Sequence, residues 1–334
     1  MRRATSLAAV FLALVLPARA MSFHTSYEQL ISDLETLQAE HAVPGFALTV
    51  VSGRHGLQTG AGGVADLDSG RPVTADTLFR IGSITKTFNA LAILLLVEQG
   101  RLDLDALMRK IIPDAPLENP WADTHPVRVA QLLGHERLLE ATSIARMERP
   151  ATALGARHGL TYGCGPGLDQ SLRKGFRWYG HGGDGDGYLS HFAYNREADA
   201  GYFLTINAFK HDALHAMRDR VQDYLTHALS PPRPPPSGID PDTLRQLTGT
   251  YVAVTRRFAW QAPDRLDEDR LQVVLEDGAL YTRSSNGRRL LIPAGAHRFR
   301  REGQPLATIA IAAQDGDRYL QAEFGNYRRV GEMP

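Results

Sequence analysis

The chain has 334 residues, room for two domains and a sizeable core. Lys plus Arg and Asp plus Glu number 37 each, so the formal charge is zero, which argues against nucleic acid or any partner held by bulk electrostatics. The hydrophobic share of 43% is ordinary for a globular protein, and the single cysteine, Cys164, excludes an intrachain disulfide.

Residues 1–20 stand apart. Arg2 and Arg3 precede "SLAAVFLALVLP", and "ARA" at 18–20 fits a small-x-small cleavage site. This is the pattern of a secretory signal peptide, with an apolar run too short to span a bilayer. A mature chain beginning at Met21, in the periplasm or outside the cell, is expected, with no retained membrane anchor. Residues 27–39 carry Leu30, Ile31, Leu34 and Leu37 at helical spacing. Pro44-Gly45 breaks that pattern, and "FALTVVS" and "GLQTGAGGVAD" read as two strands that could pair around Gly53 to Gly56. A helix follows Ser83. Phe88, Leu91, Ile93, Leu94, Leu95, Leu96 and Val97 cover nearly all its faces, so burial all round is expected, with Gly100 as its stop.

"VRVAQLL" at 127–133 reads as a short helix, and "GYLSHFAYN" and "GYFLTINAF" as a hairpin about "READA". Residues 209–229 are helical by period, with Leu214, Met217, Val221 and Leu225 on one stripe. "SPPRPPPSG" at 230–238 is a semi-rigid linker. Beyond it, short strands with turns at Asp277-Gly278 and Asp315-Gly316 make a small all-β domain at 239–334, barrel or sandwich.

The chemistry concentrates at Ser83 and Lys86. Three apart on a helix, they share a face at its N-terminus, where unpaired N–H groups and the dipole favour negative charge. The dipole and partial burial disfavour the charged lysine, which can then take the serine's proton and leave a nucleophile. By itself, S-x-x-K more often marks a helix cap beside a solvated lysine.

The flanking residues decide between these readings. "TLFRIGSITKTFNALAILLLVEQGRLDLDALMRKIIP", followed by "VRVAQLLGH", resembles the penicillin-recognising serine hydrolases: class C β-lactamases, D-alanyl-D-alanine carboxypeptidases, and related esterases and D-aminopeptidases. "RWYGHGGDGDGYLSHFAYN" resembles their third motif, with His181-Gly182-Gly183 standing for Lys-Thr-Gly, and the segment from "LTGTY" on resembles a lipocalin-like appendix. The resemblance implies an α+β fold, an antiparallel sheet with flanking helices, over residues 21–229. It implies Ser83 as acylated nucleophile, Lys86 as its base, and His181 beside the pocket on an edge strand. Gly182 and Gly183 would let substrate approach, and the N–H groups of Ser83 and of a residue near Asp184 would form an oxyanion hole, each donor worth on the order of 3 kcal/mol.

One family motif is missing. No tyrosine has asparagine two residues later; Ser284-Ser285-Asn286 has the serine version, but in the trailing β-domain. The interval from Ser83 to His181 is short for the family, which points to loss of most of the helical subdomain, with the join near His135 to Arg137. Tyr162 and Tyr179 could supply the absent hydroxyl only if the chain folds back on itself. The expected result is a wetter site and a secreted serine hydrolase of impaired activity on a β-lactam, D-peptide or ester; the alternative is a non-catalytic protein that binds cell-wall peptide. No cofactor is implied. His211 and His215 lie one turn apart without an evident third metal ligand, "DGDG" at 184–187 reads as a turn rather than a calcium loop, and the glycines lack the strand-to-helix context of a nucleotide site.

Overall fold

The computed structural model describes residues 26–331 apart from 115–117, 121, 125, 130–146, 151–152, 236, 255–269, 286 and 323–324. The expected signal peptide, the join near 135–137 and most of the helix expected at 127–133 lie outside those residues.

Helix α1 (Tyr27–Glu40) is capped by the Ser26 hydroxyl, which accepts from the Gln29 N–H, and it buries Leu30 and Leu34. It leads into a six-stranded antiparallel sheet built from β1 (Gly45–Ser52), β2 (Gly56–Gly63), β3 (Asp169–Arg173), β4 (Phe176–Gly185), β5 (Tyr188–Asn195) and β6 (Ala200–Ile206), in the order β2-β1-β6-β5-β4-β3. The two expected hairpins are present, with Gly45 opposite Gly63 in the first and Asn195 opposite Ala200 in the second. Asn207 stitches one end, accepting from the Gly45 N–H and donating to the Val64 carbonyl.

Strand alternation sorts side chains to two layers. Phe46, Leu48, Val50, Trp178 and Leu204 pack under α1 and α5 (His211–Thr226). Leu214, Met217 and Val221 of the expected stripe are buried there, each fully buried aliphatic side chain contributing about 1.5–3 kcal/mol. Tyr179 faces the other way, joining Ala90, Leu94 and Val97 of α2 (Ile84–Glu98).

Helix α2 corrects one expectation. It is not buried all round: Phe88 is 59% and Leu95 45% exposed, whereas Leu94 is fully buried. It meets the sheet through a single face, and among the described residues nothing covers the other. Gly100 does end it, at φ +68°, with Gly100 N–H on the Val97 carbonyl and Arg101 N–H on that of Leu96. Two short helices follow, α3 (Met108–Ile111) and α4 (Leu154–Arg157).

After the proline-rich stretch, helix α6 (Pro241–Leu247), which periodicity did not reveal, is capped by Asp240. The rest is a barrel rather than a sandwich: β7 (Gly249–Ala253), β8 (Arg270–Glu276), β9 (Ala279–Ser284), β10 (Gly287–Pro293), β11 (Arg298–Arg300), β12 (Ile309–Gln314), β13 (Asp317–Ala322) and β14 (Gly325–Gly331) close on one another, β14 pairing with β7. Tyr251, Val273, Leu280, Phe299, Ile309, Ile311 and Leu320 fill it. Both expected Asp-Gly turns carry positive φ at both residues, as two-residue hairpin loops require.

Candidate active site

Ser83 sits at the head of α2 in helical conformation, φ −64° and ψ −12°, and its hydroxyl accepts no capping role. Instead Lys86 Nζ donates to Ser83 Oγ at 2.6 Å. The pairing expected from the i, i+3 spacing is therefore formed. Lys86 is an exposed residue, so the partial burial expected for it is not found.

The strand carrying the third motif meets the start of this helix backbone to backbone. A Cβ on Gly183 would lie 1.8 Å from the Ile81 carbonyl oxygen, and one on Gly82 would lie 2.3 Å from that of Asp184. Gly82 also needs its residue type for φ +51°. The close approach that Gly183 permits is thus to the segment entering α2. Gly182 points the other way, where a Cβ would meet only His191 Cδ2 at 3.9 Å and Ser190 O at 4.0 Å.

β4 is not an edge strand along its whole length, as the resemblance implied. β3 pairs with it from Phe176 to Gly180 and stops there, so His181–Gly185 has β5 on one side and, among the described residues, no strand on the other. Only that stretch is an edge. Its Gly183 and Asp184 lie against the Ile81–Gly82 backbone that enters α2, and the Ser83 N–H donates to no acceptor among the described residues.

His181 shares the α2 side of β4 with Tyr179 and Gly183 by alternation. Its Nδ1 bonds the Gly182 carbonyl, which can only accept, so Nδ1 is the donor in that bond. Among the described residues His181 makes no hydrogen bond to Ser83 or Lys86. The Asp184 carboxylate turns toward His211, with Oδ2 4.0 Å from Nε2. His211 and His215 lie with ring centroids 6.3 Å apart. Tyr179 does not replace the missing hydroxyl: its OH accepts from Arg177 Nη1 at 3.0 Å and its ring stacks on Tyr194.

Sequence reasoning missed three supports of this arrangement. Ser190 Oγ donates to the Arg80 carbonyl and bonds Thr205, fixing the non-strand segment that leads to Ser83. Phe79 meets Tyr188 edge-on, and Arg80 pairs with Asp186 at 3.3 Å. Thr87 Oγ1 donates to the Gly167 carbonyl at 2.6 Å, pinning a glycine-rich turn on α2. The only sequence signal was the glycine density of 163–167.

Residues 30–137 match the family model described as Beta-lactamase, which includes Ser83 and Lys86 and ends before His181. Esterase EstB of Burkholderia gladioli is 47% identical over 70 residues, 20% of this chain and 18% of that one. Penicillin-binding protein 4 of Amycolatopsis lactamdurans is 34% identical over 102 residues, 30% and 26% of the two chains. The chain thus spans about a fifth to a quarter of the length of these curated relatives. Among solved structures, SurE with D-Leu aligns over 91% of this chain and 99% of its own, at 18% identity and a TM-score of 0.45. The resemblance to the serine β-lactamase and penicillin-binding type is shown over the matched residues.

Proposed function

We propose that this protein is a secreted serine hydrolase of the β-lactamase and penicillin-binding type, acting through an acyl-serine on a small-molecule or peptide substrate: an ester, a D-peptide or a β-lactam. The observation that carries the reading is the 2.6 Å contact between Lys86 Nζ and Ser83 Oγ at a helix N-terminus. With Lys86 neutral, Nζ accepts the hydroxyl proton as Oγ attacks the substrate carbonyl. The carbonyl π pair moves to oxygen, where the Ser83 and Asp184 N–H groups stabilise it. Collapse expels the leaving group, which takes the proton from Lys86, and leaves an ester on Ser83. Water, deprotonated by the same amine, then attacks that ester and releases the acid.

The substrate would lie along the unpaired His181–Gly185 edge, adding main-chain hydrogen bonds to it. His181 Nε2 would face that substrate, bonding its polar groups. Lys86 is exposed and the Tyr179 hydroxyl is engaged by Arg177, so general acid–base help, typically 10²–10⁴-fold, is expected to be partly lost and turnover weak. The first 20 residues would be removed on export, which N-terminal sequencing of the secreted protein checks.

The deciding experiment exposes the protein to a fluorophosphonate and to a fluorescent penicillin, and locates the adduct by mass spectrometry. Covalent capture at Ser83, lost in Ser83→Ala, is expected. No adduct at Ser83 with either probe overturns the hydrolase reading; retained binding of a cell-wall peptide in that case establishes the binder, which the exposed Lys86 already favours as the second reading.

A further inference from the structure

The barrel is joined to the sheet domain by more than its linker. Ala310 and Ala312 of β12 are buried on the outside of the barrel, and α4 lies over Ala310, with a Cβ on Gly155 only 3.2 Å from Ala310 Cβ. The Gly155 N–H donates to Gln321 Oε1 at 2.6 Å. Arg298 Nη1 donates to the Gly159 carbonyl at 2.8 Å, and the His158 and His297 rings meet edge-on at 5.8 Å.

The same stretch of chain then runs to the nucleophile helix. Thr161 accepts from Arg177 at both its carbonyl and its hydroxyl. The turn that follows closes with Gly165 and Leu168 as a bridge, and a Cβ on Gly167 would lie 2.9 Å from Ala90 Cβ and 3.1 Å from Thr87 Cα. Its Gly167 carbonyl is the one that Thr87 holds, one residue beyond Lys86. Residues 154–168 are therefore fastened to the barrel at one end and to the Lys86–Ala90 turn of α2 at the other.

We propose that the barrel is a positioning module for the nucleophile helix. Through Gln321 and Arg298 it fixes residues 155–159, and that fixed end holds the Gly163–Leu168 turn on α2. The physical need is conformational. Gly163, Gly165 and Gly167 make the turn costly to order, since glycine loses the most backbone freedom on folding, and the single Thr87 bond offsets only part of that cost. Anchoring the preceding segment removes part of that freedom in advance. The positioning contact stands on its own geometry; its consequence for acylation rests on the proposed role of Ser83 and Lys86.

The chain carries its own reporter. Cys164, the only cysteine, lies in this turn; the residue as a whole is exposed, but the surroundings of its thiol are crowded, and this partial desolvation, seconded by the Asp169 carboxylate, pushes its pKa up to about 12. Release of the turn returns the thiol toward its ordinary range, and each unit of fall gives about ten times more thiolate. The test measures the rate of Cys164 modification by a chromogenic aromatic disulfide at mildly alkaline pH, on the full mature chain, alongside fluorophosphonate capture at Ser83. Gln321→Ala combined with Arg298→Ala is expected to raise the thiol rate about tenfold or more, and each single substitution about threefold. Gln321→Glu keeps an acceptor for the Gly155 N–H and is expected to restore the wild-type rate, and Arg289→Ala, an exposed barrel change, to leave it unaltered.

In a protein that captures the probe, Ser83 labelling should slow about tenfold in the double variant. An unchanged Cys164 rate in both single variants and the double variant, each shown folded by a cooperative melt, overturns the positioning role. Faster Cys164 with no Ser83 adduct in any protein, wild type included, upholds that role and overturns only the hydrolase reading.

Discussion

Gly183→Ala tests whether the strand of the third motif and the start of α2 are held in backbone contact. The added methyl would sit 1.8 Å from the Ile81 carbonyl oxygen, 2.8 Å from its carbon and 3.2 Å from Ile84 Cγ1. None of the first two is the end of a flexible side chain, so relief requires β4 and the α2 entry to part by about 1.5 Å to reach ordinary contact. Overpacking of this kind costs about 1–3 kcal/mol, and near 2–4 °C of Tm per kcal/mol in a domain this size gives a loss of about 2–12 °C. The same displacement moves Ser83 against Asp184, and a misplacement of about 1 Å is worth about 100-fold in rate. Gly182→Ala is the control. Its methyl meets nothing nearer than 3.9 Å, so stability should stay within about 0.5 kcal/mol. Thermal melts and the time course of fluorophosphonate capture read both variants. Equal Tm and equal capture for the two alanines would refute the contact.

Three further outcomes follow from the packing and the buried groups. Leu94→Ala, on the inner face of α2, should cost about 2–5 kcal/mol in a urea melt, whereas Phe88→Ser, on its open face, should cost within about 0.5. Burial, with Arg218, His215 and His181 nearby, pushes His191 down to about 3, so the native side chain stays neutral while the unfolded one takes a proton below about 6.5. Its contribution is whole above the unfolded value and is lost as pH falls from there toward 3, at about 1.4 kcal/mol per unit; His191→Phe should flatten that slope in melts at pH 7 and about pH 4.5. Asp223 is held below the usual carboxylate range: burial opposes this, but bonds from Arg173 and Lys174 outweigh it. Arg173→Ala should therefore destabilise α5 against β3 above about pH 4, with a smaller difference from wild type in stronger acid.

What was legible from the sequence had a local cause. The period of Leu214, Met217 and Val221 gave α5, the Asp277-Gly278 and Asp315-Gly316 pairs gave two barrel turns, and three-residue spacing gave the Ser83–Lys86 contact. Each is set by neighbours within a turn of helix or strand. What escaped depends on partners far along the chain. The exposed face of α2 could not be read from composition, because Phe88 and Leu95 are as apolar as the buried Leu94 and only tertiary contact separates them. β3 escaped because Asp169 to Arg173 has little strand patterning; its pairing with Phe176–Gly180 holds it. The Thr87–Gly167 bond links residues 80 apart, and the Gly155–Gln321 bond residues 166 apart.

That difference bears on how the site works. The elements proposed to generate reactivity, Ser83 and Lys86, are encoded within one helical turn, and they form with one outer face of the helix open. An alkoxide stabilised by neighbouring N–H groups and a nearby amine needs those groups fixed more than it needs them dry, since fixed dipoles avoid reorganisation at the moment of charge development. Fixation here comes from both sides of α2: backbone contact with Gly183 and Asp184 at its head, and the Gly167 turn across its first turns. Water reaching Lys86 weakens every charge interaction without moving any atom, so loss of rate from exposure should appear uniformly across substrates. Loss of fixation should instead appear most for acyl groups whose attack geometry is least forgiving. Comparing capture rates of a small strained lactam and a flexible ester in Thr87→Val, which removes the turn's hydrogen bond while keeping the side-chain shape, separates the two: a larger drop for the ester identifies fixation, and equal drops identify solvent.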